Sequence, residues 1–300
     1  MQTEVHTRQS GLVVKADAGD TLASIGKAQL AGWLRQYGYV VLRGFSCDVQ
    51  GFSDLVRAHS SRISPDPVRQ FHHKDGEVVA QKVDAGLGAI GLHCENGDSP
   101  FWPDLCWFFC AQAPALGSQT TVCDGTAVFN DLAPQMRAAL RAQDIVYTRR
   151  VDEALWKNHV RHAHPGLETS DTRTCYARLL ALANHGASTK VELHADGSVT
   201  YSFRTPAILE RSTFSPGRPA FANSIFGPSF NDDRPAITFA DGTPLTGEMR
   251  ASLDAVCARH TVNVGWQDND IVVIDNARVM HGRRRIEDTR RTIYSALSYR

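Results

Sequence analysis

The sequence lacks the features that mark several large classes of protein. Its 300 residues contain no apolar run approaching the about 20 residues of a membrane-spanning helix. The first twenty, MQTEVHTRQSGLVVKADAGD, hold no apolar run of signal-peptide length. A soluble, cytoplasmic protein with no membrane partner is therefore expected. There is no surplus charge: Lys plus Arg and Asp plus Glu both number 32, which removes the broad basic footprint of a nucleic-acid binder. With 23 Gly and 13 Pro the chain is neither collagen-like nor of low complexity. Seven cysteines are scattered without a CxxC pair, and Cys106 and Cys110 lie inside an apolar run, so buried reduced thiols are expected. No internal repeat or Pro/Ser/Gly-rich linker divides the chain, which predicts a single domain over 1–300.

What is present is a globular balance, 42% hydrophobic and 21% charged. Leu22, Ile25, Leu30, Trp33 and Leu34 give residues 20–38 one buried helical face, closed by Gly38. Further helices are predicted over 48–60, 126–141 and 246–259. Short β-branched and aromatic runs predict strands at 39–45, 77–83, 89–95, 105–112, 120–124, 145–151, 188–193, 198–204, 219–225, 270–276 and 291–299. Many short strands with helices at the N-terminus and in insertions predict a mainly β sandwich, barrel or jelly roll with peripheral helices, and argue against a doubly wound sheet. The polar, His-rich stretch 152–187 is expected to be an insertion or lid over a site.

The sharpest chemical signal is LHCENGDSPFWPD. On a strand, His93 and Glu95 leave the same face, and an imidazole beside a carboxylate can share a metal ion. Alone, such a pair is a weak signal, ordinarily a buried hydrogen-bonded pair or two surface residues. Near the C-terminus, DIVVIDNARVMHGRRR carries an apolar strand into Asp275 and Asn276, with His281 after a short loop. A second imidazole there completes a 2-His-1-carboxylate triad, the set that leaves open positions on non-haem iron. In GSQT, Thr120 opens a strand 27 residues after His93, and Arg290 and Arg291 follow His281 by nine and ten residues. A hydroxyl and a guanidinium together make a carboxylate cradle.

The ordered set YVVLRGF, LHCE, GSQT and DNARVMHGR…RR resembles the Fe(II)/2-oxoglutarate-dependent dioxygenases related to taurine dioxygenase and clavaminate synthase, over roughly 30–125 and 268–297. The resemblance implies a double-stranded β-helix (jelly-roll) core. It also implies Fe(II) on His93, Glu95 and His281, with O2 and 2-oxoglutarate as cosubstrates. Thr120 and Arg291 would hold the keto acid's far carboxylate. Arg291 is preferred to Arg290 because the family pattern uses the second arginine and strand alternation turns only one of the two inward.

Two departures bear on the substrate. The family more often has Asp at the carboxylate ligand. Glu, as at Glu95, belongs to the members resembling clavaminate synthase and asparagine oxygenase, which act on amino-acid-like substrates. Where many members have a further arginine four residues after the cradle arginine, this chain has Ser295, which weakens a taurine-like sulfonate reading. A carboxylate ligand also argues against halogenation and for hydroxylation, with desaturation as the variant chemistry.

The expected substrate is a small molecule, a free amino acid or a carrier-bound aminoacyl group, in specialised metabolism such as antibiotic biosynthesis. Substrate contacts are sought at Gln81, Asp98, Arg204, Asn223 and Phe226. His159, His162 and His164 suit a lid surface or a zinc site, while His72 and His73 read as exposed. Rival readings are a zinc hydrolase using the same two histidines and glutamate, and a catalytically silent jelly-roll binding protein.

Overall fold

The computed structural model describes residues 1–7, 10–64, 79–83, 86–164, 167, 171–227 and 236–300. His72 and His73, and the first two residues of the strand predicted at 77–83, lie outside them. The strands are β1 (Gln2–Thr7), β2 (Ser10–Lys15), β3 (Tyr39–Arg43), β4 (Arg62–Ile63), β5 (Gln81–Lys82), β6 (Ile90–His93), β7 (Leu105–Gln112) and β8 (Thr120–Asp124). They continue with β9 (Asp144–Val151), β10 (Thr189–Leu193), β11 (Val199–Pro206), β12 (Ala236–Phe239), β13 (Thr261–Val264), β14 (Ile271–Asp275), β15 (Val279–Arg283) and β16 (Thr292–Tyr299). The helices are α1 (Lys27–Tyr37), α2 (Val49–Ala58), α3 (Gly125–Asp131), α4 (Pro134–Ala142), α5 (Glu153–Ala163), α6 (Thr172–Leu182) and α7 (Gly247–His260).

Among the described residues these strands form three sheets. A large one has the order β1-β2-β3-β14-β7-β16-β4, with β5 also paired to β16. A second has the order β13-β8-β15-β6 and a third β10-β11-β9-β12. The protein is thus mainly β with several helices.

Alternation along the strands sorts the core. Leu105, Trp107 and Phe109 of β7 pack toward α1 and α2, with Leu30, Leu34, Phe52 and Val56. Their alternates Cys106, Phe108 and Cys110 point the other way, with Val122, Val264, Val272 and Val279. The large sheet and the β13-β8-β15-β6 sheet therefore face one another across a shared apolar layer, as period-two side chains require. A third cluster joins Tyr147 and Phe203 to α3, α7 and the 207–225 segment. A fourth is built by Trp156, Val160, Cys175 and Leu179 on Val191 and Val199.

Several expectations need correction. Residues 126–141 are two helices, because the chain turns extended at Leu132 and Ala133 and restarts at Pro134, which suits a first helical position. Residues 219–225 form no strand; only an isolated bridge, Leu209 to Ala220, occurs there. The 89–95 strand stops at His93. The segment after Asn276 is not merely a loop to His281, since His281 lies inside β15. The hairpin of β1 and β2, and the short strands β12 and β13, had no predicted counterpart. The described residues of the stretch 152–187 carry α5 and α6. All seven cysteines are reduced and six are buried.

Candidate active site

β15 runs between β6 and β8, and its register sets the site. His281 is paired directly with His93 on β6 and with Val122 on β8. Cross-strand partners share a face, so both imidazoles enter the apolar layer between the sheets. Their ring centroids lie 4.4 Å apart, and Phe108 of the facing sheet meets His281 edge-on at 5.1 Å. His93 and His281 are buried. The strands come this close because glycine occupies the contact points. A Cβ at Gly282 would lie 2.6 Å from the Ile90 carbonyl oxygen, and one at Gly91 would lie 2.0 Å from that of Phe226.

Glu95 arrives by a turn rather than by alternation. β6 ends at His93, and the chain then folds back, with Gly97 N–H donating to the Cys94 carbonyl and Asn96 in the left-handed region at φ 55°, a conformation Asn tolerates well. Asn276 fixes this turn. Its side-chain oxygen accepts from Glu95 N–H at 2.9 Å, and its amide nitrogen donates to the carbonyls of Glu95 and Pro103. One buried amide thus ties the end of β14 to the acidic residue. Glu95 Oε1 lies 3.4 Å from His281 Nε2.

The three side chains are chemically suited to a metal ion. Among the described residues they are the one His/Cys/Asp/Glu group whose ligand atoms converge, all within 4.8 Å of one another. That is close to twice the about 2.0–2.2 Å of a metal–N or metal–O bond. His93 Nδ1 donates to the Gly91 carbonyl at 2.9 Å, which directs the lone pair to Nε2, the usual arrangement for a metal-bound imidazole.

The same inner face continues to a cationic end. Thr120 is in register with Arg283, which is two residues after His281 and so shares its face. Arg283 is anchored by Nη2 to the Gly86 and Gly88 carbonyls at 2.8 and 2.7 Å. Burial, with repulsion from Arg291, brings its pKa down to about 10. Arg291 is buried, and its Nη2 finds no hydrogen-bond partner among the described residues. Burial lowers its pKa too. Two buried guanidiniums close enough to repel one another, one of them opposite the buried Thr120, call for an anion. Arg290 points outward and pairs with Asp288.

The proposed substrate residues divide. Gln81 is buried on β5, paired with Ser295, which in turn pairs with Phe108. Gln81 therefore shares the face that meets His281. Phe226 packs over β6, with Gly227 close against His93. Asp98 is ion-paired to Arg149 and lines a cavity under α5 and α6. Arg204 must be withdrawn from the site: it is 55% exposed and held by Asp144 at 2.7 Å. Asn223 is withdrawn as a contact as well. It is fully buried, its amide nitrogen donating to the Ala207 carbonyl and its oxygen accepting from Ile225 N–H. His159 and His162 lie on α5, with no second converging metal group among the described residues.

Sequence reasoning missed Arg283, Asn276 and Arg278. Arg283 carried a usable signal, since it is two residues from His281 on a strand. Asn276 and Arg278 carried none. Arg278 forms a buried pair with Asp124 at 2.6 Å and donates to the Arg35 carbonyl, contacts that only the tertiary structure brings together.

Comparison with known proteins agrees with this geometry. The sequence matches the family described as taurine catabolism dioxygenase TauD, TfdA family, over residues 7–297. A clavaminate synthase-like protein of Arabidopsis thaliana is 25% identical over 291 residues, covering 90% of this chain and 84% of that one. In fold, the chain is similar to a taurine dioxygenase from Burkholderia xenovorans, with a TM-score of 0.64 at 14% identity over 99% of this chain and 88% of the other. It is also similar to PvcB from Pseudomonas aeruginosa, with a TM-score of 0.59 at 16% identity over 97% and 86%. PvcB is described as an Fe, alpha-ketoglutarate dependent oxygenase from an isonitrile synthetic pathway. The chain belongs to the TauD/TfdA family of iron- and 2-oxoglutarate-dependent dioxygenases.

Proposed function

We propose that His93, Glu95 and His281 hold Fe(II), that Thr120 and Arg291 hold the far carboxylate of 2-oxoglutarate, and that the enzyme hydroxylates a small amino-acid-like substrate. The observation that carries this reading is the convergence of three buried ligand side chains on the face that also carries the arginine end. We further propose a jelly-roll core acting as one catalytic unit over 1–300, with α5 and α6 as its lid. A role in specialised metabolism, in the cytoplasm, completes the reading; the isonitrile pathway of PvcB is one precedent. No described helix is long and apolar enough to cross a membrane.

When bound, iron and 2-oxoglutarate supply the oxidising power, through O2-driven decarboxylation of the keto acid to succinate and CO2. The chain's own residues supply placement. The Gly91 carbonyl fixes the His93 tautomer, and Asn276 fixes the backbone of Glu95. Arg291 neutralises a buried carboxylate, and Thr120 adds a hydroxyl donor. Phe108, Val122 and Val279 keep the layer around the imidazoles dry.

The test is Fe(II)- and O2-dependent formation of succinate from 2-oxoglutarate. It is expected in the parent protein and abolished by His93→Ala or His281→Ala. Turnover that survives loss of His281, or bound zinc with no binding of 2-oxoglutarate, overturns the reading.

A further inference from the structure

A cavity of about 380 Å³ lies between α5, α6 and one face of the β10-β11-β9 strands. That is within the roughly 300–1,000 Å³ of small-molecule pockets. Trp156, Leu179, Val191 and Val199 form apolar walls. Leu155 and Phe101 stand at it 49% and 45% exposed, two of the five large exposed hydrophobic side chains among the described residues. An apolar opening of this kind costs free energy unless something covers it.

The cavity adjoins the metal-ligand turn. Arg149 on β9 is paired with Tyr201 on β11, and Tyr201 with Val191 on β10, so all three share a face and line the space. Two residues earlier on that face, the Tyr147 hydroxyl accepts from Ser224 N–H at 3.0 Å, and Ser224 Oγ donates to the Cys94 carbonyl at 2.9 Å. Cys94 sits between His93 and Glu95. Asp98 follows Glu95 by three residues, a separation of at most about 11 Å.

Within these apolar walls stands one ion pair, Asp98 with Arg149, both side chains mostly buried. Among the described residues it is the one hydrogen bond either side chain makes, and it uses one carboxylate oxygen and one terminal guanidinium nitrogen. The second carboxylate oxygen suits an ammonium group, and the remaining guanidinium N–H groups suit a carboxylate.

We propose that this cavity binds a free α-amino acid with a large apolar side chain, its ammonium on Asp98, its carboxylate on Arg149 and its side chain under α5 and α6. The assignment rests on the oxygenase reading and narrows it. A carrier-bound aminoacyl group has no free carboxylate for Arg149, so the ion pair selects the free zwitterion.

Calorimetric titration of the protein of residues 1–300 tests this with L-leucine, L-phenylalanine, L-tryptophan, glycine, phenethylamine and 3-phenylpropanoate. At least one large apolar amino acid should bind saturably. L-Phenylalanine should bind at least tenfold more tightly than glycine, phenethylamine or 3-phenylpropanoate. Val191→Trp, which fills the cavity, should abolish that binding. Arg149→Gln should weaken L-phenylalanine at least tenfold without weakening phenethylamine, whereas general structural damage would weaken both. Absence of binding by all three large amino acids, or equal affinity for L-phenylalanine and its one-charge analogues, overturns the assignment. Titration of 2-oxoglutarate on the same samples separates the two claims. If it binds while the amino acids fail, only the cavity assignment falls; if it too fails, the oxygenase reading falls.

Discussion

Two regions border the turn at residues 94–99, and they are built on different logic. In the β13-β8-β15-β6 sheet, functional side chains are placed by register: His281 opposite His93 and Thr120 opposite Arg283. A one-residue slip would turn each of them to the other face. In the β10-β11-β9-β12 sheet, with α5 and α6 packed on it, the cavity is a product of helix-on-sheet packing, and its polar lining is one ion pair with Ser99, His159 and Tyr201. The first region tolerates almost no change, while the second can be reshaped by single side chains. On the proposed assignment of the cavity, reaction chemistry and substrate choice are separable in this fold.

Substitutions test that separation, beginning with the largest effect. His281→Ala should eliminate turnover and reduce Fe(II) affinity by more than the about 10–100-fold typical of outer-sphere changes, as read by anaerobic metal titration. Asn276→Ala, which frees the Glu95 backbone without touching a ligand atom, should fall in that 10–100-fold range. An Asn276→Ala protein with parental iron affinity would show that register alone shapes the metal end.

The next effect concerns the end of β14. Asp275 is buried and its pKa is pushed up to about 7 by desolvation, against the pull of the Ser212 hydroxyl and Ala277 N–H. A carboxyl whose pKa is raised in the fold keeps a proton the unfolded chain has released. The fold therefore loses stability as pH rises from about 4 to about 7, by a few kcal/mol. Asp275→Asn should remove that loss, so its stability relative to the parent should climb across this window in urea melts. A constant difference from pH 4 to 8 would contradict it.

The smallest effect is expected at Arg204. Its exposed pair with Asp144 belongs to a class worth about 0–1 kcal/mol. Arg204→Ala should leave both succinate formation and amino-acid binding unchanged. A loss of either would bring β11's outer face into the site.

The same contrast explains what the amino-acid order disclosed. His93 sits at the end of a strand whose alternation was legible, and the choice of Arg291 over Arg290 followed from the same period of two, whereas His281 was expected after a loop and its inward direction is set by the β15 register that the sequence did not disclose. Glu95 was placed beside His93 for the wrong reason, since the turn at Asn96 and Gly97 brings it back after the strand has ended. Asn223 resembled a pocket residue only because polar side chains that satisfy buried backbone look the same in sequence as those that touch ligands. Arg204 was misplaced because nothing local reveals the partner at Asp144, sixty residues away. The cavity under α5 and α6 was legible only as an expected lid, because its walls come from β9, β10, β11 and the 94–101 turn, which no motif links.

The most direct test of the central claim is an anaerobic crystal structure of the protein soaked with Fe(II) and 2-oxoglutarate. The account predicts one ion bonded to the side chains of His93, Glu95 and His281, with the far carboxylate of the keto acid on Arg291 and Thr120. An ion bound elsewhere, or a carboxylate turned away from Arg291, would contradict it.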